Sequence, residues 1–222
     1  MKGVYCTRDL TAGLDGSPDS VVAMLGDLLP ESPVYCLNQV HSDGIVLARD
    51  IASGDIPEAD GIISLDPGDV LCVRTADCVP VLLWGDNSSV FAAVHAGWRG
   101  LEKGIVIKAV HCMQTLGASG IHVSIGPCIG PCCYEVGPDV AAALGTEHLL
   151  HENDSLYLDL AGVTLSQALS AGVERSRIHS VDICTSCHQD EFFSYRRDGA
   201  AAGRNISLIG GESWSLPGLQ VG

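Results

Sequence analysis

Nine short apolar runs bounded by turn residues constrain this chain more than any other feature, at 34–37, 44–47, 61–64, 70–74, 79–84, 90–95, 122–125, 181–184 and 205–209. Val-Pro-Val-Leu-Leu-Trp at 79–84 is apolar at every position, the pattern of a strand buried on both faces. Helical spacing interrupts the runs: Ile105, Ala109, Cys112, Met113 and Leu116 share a face that stops at Gly117. Further helices are predicted over 138–144 and over 160–171, the second closed by Gly172. The class is mixed α and β. The 222 residues, 46% hydrophobic, can bury a sizeable core, and they contain no repeat, low-complexity tract or long linker. One domain over 1–222 is predicted, loose only at 11–19, at 199–203 and in the C-terminal tail.

Charge narrows the partners. Twelve Lys and Arg against 27 Asp and Glu give −15, a field that repels nucleic acid and anionic membrane surfaces. A small substrate in a local pocket is unaffected by that balance. The first residues lack the apolar core and cleavage site of a secretory signal, and no run approaches the roughly 18 apolar residues that cross a bilayer. The expectation is a soluble, cytoplasmic chain whose ten cysteines are mostly reduced, some of them serving as ligands.

Three segments put a metal-ligating side chain at or just beyond the end of an apolar strand: Asn-Gln-Val-His41, Thr-Ala-Asp-Cys78 and Val-His95-Ala-Gly-Trp-Arg-Gly. One thiolate and two imidazoles suit Zn²⁺, and three protein ligands leave a fourth position for water or substrate. Spacing alone does not bring these residues together. The competing reading of the same residues is two hydrogen-bonded histidines and a buried thiol.

The segments NQVHSDGIV, ADGIIS, VRTADCVPVLL, VHAGWRG, IGPCIGPCCYEVG and FFSYRRDGAAAGRNISLIG, spread over 34–209, resemble the multicopper-polyphenol-oxidase-like, or laccase-domain, family of purine nucleoside phosphorylases. The resemblance implies a single layered α/β/β/α domain with mixed sheets, cytotoxic-necrotizing-factor-like, with His41, Cys78 and His95 as metal ligands. It implies phosphorolysis of adenosine, inosine, guanosine and methylthioadenosine, with an accompanying adenosine deaminase activity. Zn²⁺ is the expected ion and Cu²⁺ the alternative. A blue-copper site wants a weak axial Met, and Met1, Met24 and Met113 lie far from the three segments in sequence.

Roles for the remaining residues follow from what such reactions need. Proton transfer in deamination asks for a carboxylate beside the metal, and Asp77 is adjacent to Cys78; a structural acceptor for backbone amides is the competing role. Phosphate in a chain this acidic needs guanidinium groups. Arg99, at a turn into a helix, leads, followed by Arg74, Arg196 and Arg197. Gln39 and Tyr134 are placed with the substrate-binding groups, Tyr134 as a stacking platform or as a buried structural ring. The N-terminal segment after Thr7-Arg8 is shorter than is usual in the family, which bears on nucleoside preference.

Two cysteine motifs compete for attention. Cys184-Thr-Ser-Cys187-His188 has the spacing of covalent haem attachment, but no export signal accompanies it. Cys184 and Cys187 also have the spacing to join Cys128 and Cys132 in a structural zinc site. Beyond the metalloenzyme stand three other readings. One is a Cys78–His95 amide hydrolase acting on cell-wall precursors; the others are a copper-dependent polyphenol oxidase and a non-catalytic metal-binding protein.

Overall fold

A computed structural model describes residues 1–86 and 88–211; the predicted loose tail from 212 lies outside the described residues. The chain begins β1 (Lys2–Tyr5), α1 (Pro18–Leu28), β2 (Val34–Tyr35), β3 (Ile45–Leu47), β4 (Gly61–Ser64) and β5 (Val70–Thr75). It continues through β6 (Val79–Asp86), β7 (Phe91–Ala96), α2 (Trp98–Glu102), α3 (Ile105–Thr115) and β8 (Ser119–Ile125). The last third holds β9 (Glu135–Val136), α4 (Pro138–Leu144), β10 (Leu149–Glu152), β11 (Ser155–Leu158), α5 (Leu160–Ser170), β12 (Ile178–Ser180), α6 (Tyr195–Asp198) and β13 (Asn205–Gly210).

Among the described residues these strands form a four-stranded sheet β1-β13-β5-β2, a six-stranded sheet β12-β8-β6-β7-β4-β3 and a small sheet β10-β11-β9. Both large sheets are mixed, each antiparallel in its centre with parallel pairing at an edge. Strand alternation then sorts the side chains into layers. On β5, Val70 and Cys72 face α1 while Leu71 and Val73 face the second sheet. On β6, Leu82 lies between the sheets while Val79, Val81 and Leu83 face α3 and α5. The result is the α/β/β/α order the resemblance implied. Phe91 is wholly buried between the sheets, where truncation to Ala costs about 3–5 kcal/mol.

Some elements differ from the sequence reading. The predicted loose stretch at 11–19 gives way at Pro18 to α1, whose cap Ser17 accepts from the Ser20 amide and whose Val21 and Leu25 are fully buried. The strand predicted at 181–184 is instead Ile178–Ser180, paired in parallel with β8. Residue 184 makes only an isolated bridge to Cys128, because the chain there leaves the sheet to cross a second loop. No helix among the described residues is long and apolar enough to cross a membrane.

Candidate metal centre and its cavity

Strand register explains why residues far apart in sequence meet. Val79 pairs with Ala96, so Cys78, one residue before β6, falls beside Gly97 at the end that carries His95. Gly61 pairs with Val94, which sets Asp60 opposite His95. The Asp60 carboxylate, wholly buried, accepts from the amides of Val40, His41 and Ser42 at 3.3, 3.0 and 2.6 Å and from the Ser42 hydroxyl at 2.8 Å. The same carboxylate meets His95 Nδ1 at 2.7 Å. A single acid thereby wraps the His41 loop and aims the His95 ring. Burial opposes its ionisation, yet the bonds from His95 and Ser42 prevail and hold it at about 2.

The donor atoms of His41, Cys78 and His95 all lie within 4.8 Å of one another. Cys78 Sγ is 3.8 Å from His41 Nε2, and the two imidazoles meet edge to face with centroids 4.8 Å apart. With His95 Nδ1 committed to Asp60, its Nε2 is the nitrogen left for a ligand, the carboxylate–histidine–metal arrangement. Burial resists ionisation of Cys78, but the charge on His95 and hydrogen bonds from His41 and His95 outweigh it and bring the thiol to about 6. His95 moves the other way, to about 9, because the Cys78 thiolate and Asp60 overcome its burial. Two borderline-soft nitrogens, one thiolate and a hydrogen-bonded outer carboxylate fit a divalent ion such as zinc with an open position.

Backbone strain marks the same place. His41 and Asp77 adopt positive φ of 58° and 88°, which non-glycine residues rarely do. Gly97 is required for space: a Cβ there would sit 3.0 Å from both Cys78 Sγ and His41 Cδ2.

The cluster opens into a cavity of about 600 Å³, lined further by Gln39, Asp77, Trp98, Tyr134 and Tyr195 and by the arginines 74, 99, 196 and 204. Four of the chain's 12 basic residues thus face one cavity in a protein of net charge −15. That local reversal of sign suits an anion. Arg99 stacks over Trp98 at 4.4 Å and Arg196 over Tyr134 at 5.1 Å. Burial raises Tyr134 to about 12, so its hydroxyl keeps its proton at neutral pH. The helix entered at Arg99 is only Trp98–Glu102, so the guanidinium, rather than the helix end, supplies the positive field.

Other expected site residues are partly or wholly committed elsewhere. Gln39 exchanges two hydrogen bonds with the Arg74 backbone, at 2.7 and 2.9 Å, extending the sheet edge. Asp77 accepts from the Thr185 hydroxyl at 2.7 Å and from the Arg196 amide at 2.6 Å. Arg197 does not line the cavity: its guanidinium is bound to Asp198 and to the carbonyls of Thr185, Ser186 and Phe192. Sequence reasoning missed Asp60, Arg204, Trp98 and Tyr195. Asp60 left a trace in Ala-Asp-Gly directly before β4, but its partners are backbone amides and a ring 35 positions away.

Fold and cavity together define a layered α/β/β/α protein with a three-donor His/Cys centre at the sheet ends. Residues 9–212 match the family described as multi-copper polyphenol oxidoreductase laccase, and the chain belongs to that family. It is 36% identical over 201 residues to a protein of Geobacillus stearothermophilus named purine nucleoside phosphorylase YlmD, covering 81% of this chain and 73% of that protein. Identity to the Escherichia coli purine nucleoside phosphorylase YfiH is 35% over 218 residues, 92% of this chain and 86% of that one. The solved structure of YlmD from Geobacillus stearothermophilus superposes with a TM-score of 0.83 at 32% identity, covering 94% of this chain and 92% of that one. That of Bacillus licheniformis YfiH, titled a hypothetical protein, gives 0.83 at 26%, covering 95% and 92%.

Proposed function

We propose that this chain is a zinc-dependent purine nucleoside phosphorylase of broad specificity, taking adenosine, inosine, guanosine and methylthioadenosine, with adenosine deamination as a second activity. The observation that carries the reading is the convergence of His41, Cys78 and His95 with four arginines in one cavity. Its volume of about 600 Å³ falls in the range of small-molecule sites. The names of the relatives support the same class of enzyme.

A divalent ion held by the three donors supplies Lewis-acid polarisation of a substrate oxygen. The chain supplies the rest. In phosphorolysis a phosphate oxygen bonds to ribose C1′ while the C1′–N9 bond breaks and its electron pair stays with the purine. Arg99, Arg196, Arg204 and Arg74 hold the phosphate monoanion or dianion; the Arg74 Nη atoms are bonded to the Gly16 and Leu37 carbonyls, and its Nε, buried and without a protein partner among the described residues, is the donor left for it. Trp98, Tyr134 and Tyr195 offer faces and edges to the base, and the Tyr134 hydroxyl donates to the leaving purine. Asp77, with both oxygens engaged, positions Arg196 and the turn that carries Cys78.

Incubation with inosine or adenosine tests this directly. Ribose 1-phosphate and free base formed only with phosphate are expected; base release independent of phosphate would overturn it. Ammonia from adenosine reads the second activity separately. The thiolate–imidazolium pair of Cys78 and His95 favours one other reading, a cysteine hydrolase. Inactivation by iodoacetamide that bound metal does not prevent would select that reading.

A further inference from the structure

A second donor cluster stands outside the cavity. Cys132 and Cys133 on one loop and Cys184 and Cys187 on another place all four sulfurs within 4.8 Å of one another. We propose that these four cysteines form a closed, structural tetrathiolate site for a thiophilic divalent cation, Zn²⁺ by preference, that staples the two loops forming one wall of the cavity.

The distances favour an ion over a disulfide. Cys187 Sγ lies 3.6 Å from Cys132 Sγ and 3.4 Å from Cys133 Sγ, and all four thiols are free. A disulfide needs about 2.05 Å. Sulfurs at the corners of a tetrahedron around an ion with bonds of about 2.3 Å stand roughly 3.8 Å apart, close to what the loops already provide. Binding would convert four thiols to thiolates and release their protons to solvent, with no oxidant required.

The backbone presents one amide to sulfur and turns tightly beside it. The Gly130 amide donates to Cys184 Sγ at 3.2 Å, and Cys133 and Tyr134 amides both turn back onto the Gly130 carbonyl at 3.0 Å. That tight turn lets two consecutive cysteines present sulfur to the same point. The loops are zipped by a bridge between Cys128 and Cys184, with the Thr185 amide on the Cys128 carbonyl at 2.9 Å. Cys128 itself belongs to the hydrophobic core and its sulfur lies outside the cluster, so Cys133, rather than the Cys128 suggested by spacing, completes the set.

What the staple would hold is visible in the same contacts. Arg196 binds the Cys133 and Glu135 carbonyls of one loop, and Arg197 binds the Thr185 and Ser186 carbonyls of the other. Tyr134 and Arg196 line the cavity, and Thr185 anchors Asp77 beside Cys78. An ion linking the two loops fixes that wall without touching substrate.

Metal content of the full-length protein, produced with zinc and purified anaerobically under reducing conditions, tests the proposal by mass spectrometry. Two equivalents are expected in the parent, one in Cys78→Ala and one in the Cys184→Ser/Cys187→Ser double variant. Should the double variant not fold, cobalt loaded into Cys78→Ala gives the second readout: strong sulfur-to-cobalt charge-transfer absorption of a tetrathiolate site supports the proposal. A metal-free Cys78→Ala protein would overturn it. So would four thiols that react freely with a disulfide reagent in zinc-replete protein, or a parent mass two hydrogens light from a Cys132–Cys187 disulfide.

Discussion

Two sulfur-bearing clusters lie on either side of the same wall, and they differ in every respect that matters for chemistry. Cys78 and His95 sit at strand ends and His41 on the loop between β2 and β3; one buried carboxylate orients both histidines, and the cluster opens to a cavity. Cys132, Cys133, Cys184 and Cys187 sit on half-exposed loops, held by turns and an amide–sulfur bond. Three donors leave room for a reactant; four donors leave none. The contrast teaches that ligand number and the carboxylate set behind the ligands, more than the presence of cysteine, separate a reactive centre from a fastening.

Removing the shared element of the first cluster should break the comparison most severely. In Cys78→Ala, phosphate-dependent base release is expected to fall by more than about 100-fold, since loss of an outer-shell partner alone costs about 10–100-fold. Metal analysis of the same sample should show the loss confined to one site. Asp60→Asn keeps the shape but removes the charge that aims His95. A drop of about 10–100-fold in metal affinity at this centre, measured by chelator competition, is expected. Unchanged affinity would mean that the backbone loop alone positions His41. Arg99→Ala should raise the phosphate KM roughly tenfold, because a hydrogen bond to a charged group contributes about 1.5 kcal/mol. Arg197→Ala should leave that KM unmoved, since its guanidinium does not line the cavity and is held instead by Asp198 and the carbonyls of Thr185, Ser186 and Phe192.

How much of this was legible beforehand divides along the same line. The buried strands 79–84 and 90–95 announced themselves through continuous apolar runs, and the donor types of the first cluster were visible at their ends. Their convergence was not, because it depends on the Val79–Ala96 and Gly61–Val94 registers, which are non-local. Helix α1 carried a local signal in Ser17-Pro18 with Val21 and Leu25 one turn apart, but the neighbouring glycines disguised it. The β9–β10–β11 sheet escaped because a two-residue strand and a largely exposed hairpin show little alternation. The second cluster defeated spacing rules for a different reason. Cys-x-x-Cys at 184–187 was plain, yet which of Cys128, Cys132 and Cys133 joined it was decided by the turn at Gly130.

The gentlest probe of the comparison is a side-chain hydrogen bond that joins the two clusters' neighbours, from the Thr185 hydroxyl to Asp77. Thr185 follows Cys184 and Asp77 precedes Cys78, so this contact, 2.7 Å long and buried, connects segments 108 positions apart. Thr185→Val removes the donor while nearly preserving shape, leaving one Asp77 oxygen without its partner. Burial of an acceptor so orphaned costs about 1–3 kcal/mol. In a chain of this size that corresponds to a fall in Tm of about 2–4 °C per kcal/mol, readable by calorimetry. Metal content at both clusters should stay as in the parent, because none of the seven donors is touched. Turnover should change least of all the variants, since Asp77 still accepts from the Arg196 amide at 2.6 Å and the Cys78 turn keeps its Ile129 bond at 2.9 Å. A large loss of turnover at unchanged metal content would instead make the Asp77 carboxylate itself the group that moves protons, and the loops its regulator.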